Sequence, residues 1–96
     1  MIYEIVRDEI NNRDFEDLLK MGCPTDEYLI EITDIVGEIR RNNIRDEQLL
    51  AKVIGDTFNY YFGYNREGKL GYTIDKCLPA ARNILLKLKE NDYARF

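Results

Sequence analysis

Gly22-Cys23-Pro24-Thr25-Asp26-Glu27-Tyr28-Leu29-Ile30-Glu31-Ile32 ends one helix, turns the chain and starts another. Gly22 suits the position after a helix because it enters the left-handed conformation without steric cost. Pro24 then blocks any continuation. Thr25 is the predicted N-cap of the next helix, with Asp26 and Glu27 favoured by its positive end. From there Tyr28, Leu29, Ile32, Ile35, Val36 and Ile39 fall in a stripe roughly 120° wide, which predicts an amphipathic helix. Opposite that stripe run Glu27, Glu31, Asp34 and Glu38, at i, i+4, i+7 and i+11, with no base in the row. Like charges one turn apart repel by a few tenths of a kcal/mol per pair. A solvated helix face accounts for such a row, and so does a ridge that receives the lysines and arginines of a basic protein. The four acids are therefore candidate partner contacts.

Upstream, Ile2, Ile5, Val6 and Ile10 share one helical face, whereas Phe15, Leu18 and Leu19 project almost oppositely. One straight helix cannot carry both sets. The break falls at Asn11 to Asp14, which predicts a helix over 2–11 and a short one over 14–21, capped by Asn12 or Asp14. A short strand is the competing reading of Ile2 to Val6, though no second strand is evident to pair with it.

Downstream, Asn42-Asn43 reads as a turn and Asp46 as the start of a helix running to Tyr61. Its apolar residues cover more than half the circumference, which predicts a central helix ending at Gly63. Residues 63–72 read as a loop. A last helix should begin at Thr73 and keep its phase through Pro79, with residues 91–96 as a tail. The expected fold is a single all-α domain over 1–96: a compact bundle of about four helices with a short extra helix near 14–21.

Composition narrows the chemistry. The chain has 96 residues, a net charge of −4 and no histidine. Without histidine the commonest general base and metal ligand are missing, and the expectation is a protein that is not an enzyme and has no cofactor or metal. A negative chain lacks the basic field on which nucleic-acid binding depends. Residues 1–48 hold 13 acids and 6 bases, a charge of −7; residues 49–96 hold 5 acids and 8 bases, a charge of +3. That asymmetry suits either one basic partner or head-to-tail association between copies. No apolar run is long enough to span a bilayer and the first residues carry acids, so no membrane contact and a cytoplasmic location are expected. Cys23 and Cys77 are read as free thiols, Cys77 buried.

Six of the eleven aromatics lie between 58 and 72. Phe58 and Tyr61 are expected in the core, with Phe62 able to fill its end. Tyr60, Tyr64 and Tyr72 are left open between core and surface, and Tyr60 and Tyr64 join the candidate partner contacts because tyrosine is enriched at binding hot spots.

The stretch from Ile10 to Ile39 resembles a family of small, uncharacterised bacterial helical proteins with a Gly-x-Pro-x-Asp-Glu-Tyr motif. It does so through Leu18, Leu19, Gly22, Pro24, Asp26, Glu27, Tyr28, Glu31 and Ile32. Arg13-Asp14-Phe15 replaces that family's Trp-Asp-Pro run, and Leu29 replaces an acid. No activity is carried over from it. The second half is similar in layout, size and charge to bacteriocin and contact-dependent-inhibition immunity proteins. That likeness implies an acidic module that binds and neutralises a basic toxin nuclease, the alternative being a self-associating structural or regulatory protein.

Overall fold

The computed structural model describes residues 1–24, 26–63 and 71–91. Four helices carry the fold: α1 (Ile2–Arg13), α2 (Leu29–Asn42), α3 (Glu47–Tyr61) and α4 (Ile74–Glu90). Among the described residues there is no strand, so the all-α bundle is observed and Ile2 to Val6 opens a helix. Each helix packs on two others, in the cyclic order α1, α2, α3, α4. α3 is thus one member of a ring, touching α2 and α4, and not a hub.

Local signals placed most helix ends. The Asp46 carboxylate accepts from the Leu49 amide at 2.8 Å and starts α3. The Thr73 hydroxyl accepts from the Lys76 amide at 3.2 Å and starts α4, which runs unbroken through Pro79. Gly22 and Gly63 both take positive φ where the chain leaves a helix or turn. The core is the expected aliphatic seam, including Val6, Ile10, Ile32, Ile35, Ile54 and Ile84, all fully buried. α3 and α4 approach closely at Gly55, where an added Cβ would sit 3.0 Å from the Tyr72 carbonyl oxygen and 3.6 Å from Cys77 Sγ. A side chain there would push the Tyr72 backbone away by a few tenths of an ångström.

Three further expectations are corrected. Residues 14–21 form successive turns, not a helix, because Asp14 and Asp17 adopt left-handed conformations at φ 48° and 58°. α2 begins at Leu29, after a turn at 26–28, so Leu29 lies exposed outside the apolar stripe. Tyr61, expected in the core, is at the surface. Because α2 begins at Leu29, its N-cap position is Tyr28 and not the expected Thr25, and no side chain caps it. Most of the 63–72 loop and most of the 91–96 tail lie outside the described residues.

Tyr28 and Asp14 hold the turns of 14–21 in place. The Tyr28 ring is fully buried against Phe58 and Phe62, with centroids 5.8 and 6.4 Å away. Its hydroxyl donates to Asp14 Oδ1 at 2.7 Å and accepts from the amides of Glu16 and Leu18 at 3.0 and 3.4 Å. The Asp14 carboxylate also accepts from the amides of Leu19 and Lys20, at 3.0 and 2.8 Å. A second clasp joins α3 to the start of α4: the side chain of buried Asn59 accepts from the Tyr72 amide at 2.7 Å and donates to the Tyr72 carbonyl at 3.0 Å. The Tyr72 hydroxyl then reaches the Phe15 carbonyl at 3.0 Å. Five rings, Phe15, Tyr28, Phe58, Phe62 and Tyr72, therefore close one end of the bundle.

Candidate functional site

The four acids of the predicted ridge have four different environments. Glu27 is exposed but sits in the turn before α2, so the helical part of the ridge begins one turn later. Glu31 is buried, with only 5% of its surface exposed, against the expectation that it faces solvent. Asp34 is exposed and accepts a short hydrogen bond from the Tyr61 hydroxyl. Glu38 is half-buried, paired with Arg41 Nη2 at 2.7 Å and accepting from Asn42 Nδ2 at 2.7 Å. Periodicity placed Glu31, Asp34 and Glu38 on successive turns of α2, but a helical wheel cannot show what packs against that face.

Asp34 and Glu38 form one wall of a groove of about 480 Å³ between α2 and α3. The other wall is α3, with Val53, Asp56, Thr57, Tyr60 and Tyr61, and Arg41 closes one side. Carboxylates thus face the groove from both helices. Glu38 and Asp56 already have cations, Arg41 and Lys52, each at 2.7 Å. Such exposed pairs contribute about 0–1 kcal/mol and exchange readily for another cation. Tyr60 is 70% exposed, edge-on to Tyr61 at 5.0 Å. Tyr64, the remaining candidate, lies outside the described residues.

Glu31 is the group with an unusual state. Its Oε1 is shut off from solvent and no hydrogen bond reaches it. Burial pushes its carboxyl above the ordinary value of 4.5 despite its own amide's hydrogen bond, and the charges of Asp34 and Glu27 add to the rise. A raised acid contributes stability below 4.5, and that contribution is lost as pH rises through the raised value. Tyr61 is pushed up to about 12, chiefly by its hydrogen bond to Asp34, then by burial and by neighbouring charge that includes Glu31. Glu31, Asp34 and Tyr61 therefore act on one another electrostatically, and of the three Asp34 and Tyr61 line the groove.

Two residues of the groove escaped the sequence reading. Asp56 had a signal available, since Lys52, Asp56 and Tyr60 follow one another at i, i+4 and i+8 on an exposed ridge of α3. Tyr61 had none, because its neighbour Phe58 and its aromatic run both pointed inward.

The groove offers carboxylate acceptors and ring faces to a ligand. Among the described residues no three histidine, cysteine, aspartate or glutamate side chains are placed to hold a metal ion. Neither cysteine is in a disulfide; Cys77 is buried and its thiol is pushed up to about 11 by that burial, far from a reactive thiolate. No helix among the described residues is long and apolar enough to cross a membrane. A second, larger cavity of about 550 Å³ lies between the start of α3 and the end of α4. It has Leu85, Leu86 and Leu88 on its floor and Arg45, Asp46, Glu47, Arg82 and Lys89 around them. Arg82 bonds Glu47 across it at 3.2 Å, so its charges are mixed, whereas the α2/α3 groove is predominantly acidic. Compared with known families, curated proteins and solved structures, the chain matches none of them.

Proposed function

We propose that this chain is a protein-binding module whose α2/α3 groove receives the basic side chains of a partner protein. The observation that carries this reading is that carboxylates enter the groove from both walls, Asp34 and Glu38 from α2 and Asp56 from α3, beside exposed Tyr60. Acids on two elements engage a cationic segment from two sides, which favours fast association and discriminates against acidic partners. The size, acidity and helical architecture suit an immunity-type protein that occupies the substrate channel of a basic toxin nuclease. The nuclease's own phosphate-binding cations would then be its contacts.

The test uses a basic nuclease domain encoded beside this chain's reading frame, titrated calorimetrically against the wild type and against Asp34→Lys/Asp56→Lys. Both positions are exposed, so the variant should keep its circular dichroism spectrum. Its affinity should fall roughly tenfold or more, mainly through slower association. Unchanged affinity would remove the groove from the interface.

Self-association is the second reading, favoured by the cations and leucines around the larger cavity, which complement an acidic, apolar-tipped surface such as that bearing Glu27 and exposed Ile30. Head-to-tail contact predicts a sedimentation coefficient that rises with concentration and falls as salt screens the charges. A monomer at all concentrations in low salt rejects it.

A further inference from the structure

Each acid of the α2/α3 groove is engaged within the chain: Asp34 by the Tyr61 hydroxyl, Glu38 by Arg41 and Asn42, and Asp56 by Lys52. Of the two cations, Arg41 lines the groove and Lys52 stands outside its lining. Arg41 is also held by shape. Its guanidinium lies across Gly37: from the point where a Cβ would stand, Nη1 is 3.1 Å away and Cζ and Nη2 are each 3.7 Å away. Glycine in the interior of a helix such as α2 is destabilising relative to alanine. The space it leaves here is filled by the chain's own cation, 2.7 Å from Glu38.

Building on the groove as a receptor for basic side chains, we propose that Arg41, seated on Gly37, is a built-in occupant of the groove, an autoinhibitory contact that a partner's cation has to displace to reach Glu38. Both members of the pair reach solvent, so it opens, and the apparent affinity of a ligand falls by the fraction of molecules in which Glu38 is open. For an exposed pair of this kind that reduction is roughly two- to fivefold. The contact also sorts ligands. A single incoming cation replaces Arg41 at Glu38 charge for charge and gains little. A segment with several cations also reaches Asp34, whose hydrogen-bond donor, the Tyr61 hydroxyl, carries no charge. That second contact offsets the release of Arg41, so the groove selects clustered basic side chains over isolated ones.

The probes are capped tetralysine and a capped single lysine, titrated into the intact chain. NMR follows the carboxyl carbons of Asp34, Glu38 and Asp56, and the rotation of the Arg41 guanidinium about its Nε–Cζ bond. In the free protein that rotation should be slower than for Arg40, which is exposed on the same helix. Tetralysine should move all three carboxyls, free the Arg41 rotation and bind more tightly than the single lysine. Arg41→Gln strengthens cation binding through charge alone, so the decisive variant is Gly37→Leu, which keeps the charge, suits a helix and fills the seat. It should bind tetralysine roughly two- to fivefold more tightly than wild type. Affinity equal to or below wild type in Gly37→Leu, or an Arg41 guanidinium that turns as freely as that of Arg40, overturns the proposal and leaves the groove reading standing. Motionless Asp34 and Asp56 carboxyls overturn the groove reading and the proposal with it. If Gly37→Leu does not fold, the wild-type titration decides: a Glu38 carboxyl that moves without any release of Arg41 rejects the displacement.

Discussion

Tyr28→Ala is expected to lower the unfolding free energy by roughly 3–5 kcal/mol, and Tyr28→Phe by about 2–3 kcal/mol. The alanine variant loses a fully buried ring and leaves a cavity beside Phe58 and Phe62. The phenylalanine variant keeps that packing and removes only the hydroxyl. That single atom donates to the Asp14 carboxylate and accepts from the Glu16 and Leu18 amides. Its loss leaves three partners without it, one of them charged. Urea unfolding measures both values, and hydrogen exchange localises the second: the amides of Glu16 and Leu18 should exchange faster while those of α4 stay protected. The pH dependence carries an independent signature. Tyr28 is pushed up from 10.0 to about 12, first by burial and then by its bond to Asp14. Its contribution is therefore complete below pH 10 and lost as pH rises through about 12. Asp14 shows the opposite sign. Burial raises its carboxyl, but the bonds from Tyr28, Leu19 and Lys20 outweigh that and hold it below 3.8, so its contribution is lost on acidification. Tyr28→Phe should flatten the alkaline limb. A stability within about 0.5 kcal/mol of wild type would show that the tether contributes nothing.

The second large effect is expected at Asn59. Leucine has the same number and branching of side-chain heavy atoms, though its methyls are bulkier, so Asn59→Leu keeps the side-chain shape while removing both bonds to the Tyr72 backbone. Two lost bonds at a buried position should cost roughly 2–4 kcal/mol. Asn59→Asp retains the acceptor toward the Tyr72 amide and loses the donor to its carbonyl, so it places a carboxylate where a carbonyl oxygen repels it. Both variants should raise exchange at the first turn of α4, immediately after Tyr72. The same backbone lies 3.0 Å from where a Cβ at Gly55 would stand, so loosening the clasp also removes what sets the α3–α4 spacing. Unfolding curves that superimpose on wild type for Asn59→Leu would refute this account.

The fold was legible where the cause is local. Asp46 and Thr73 cap helices with their own side chains, Gly22 and Gly63 take the positive φ that ends a segment, and the aliphatic phase survives Pro79. These effects act within one or two turns, and the residue types alone specify them. The candidate site was legible only in part. Asp34, Glu38 and Tyr60 do meet in one groove, but the row of four equivalent acids does not exist. Residues 14–21 show the same limit: a helix was the natural reading until Asp14 found Tyr28, fourteen positions away.

Sequence by itself determined which azimuth of each of the four helices is apolar and where most of them end, because backbone sterics and 3.6-residue periodicity are properties of the chain alone. Tertiary structure decided which polar side chains are buried and what they touch. Glu31 is buried with one carboxyl oxygen unbonded, Tyr61 is drawn out to Asp34, and Asp56 stands across from Glu38, because burial and electrostatic environment depend on which neighbour arrives through space.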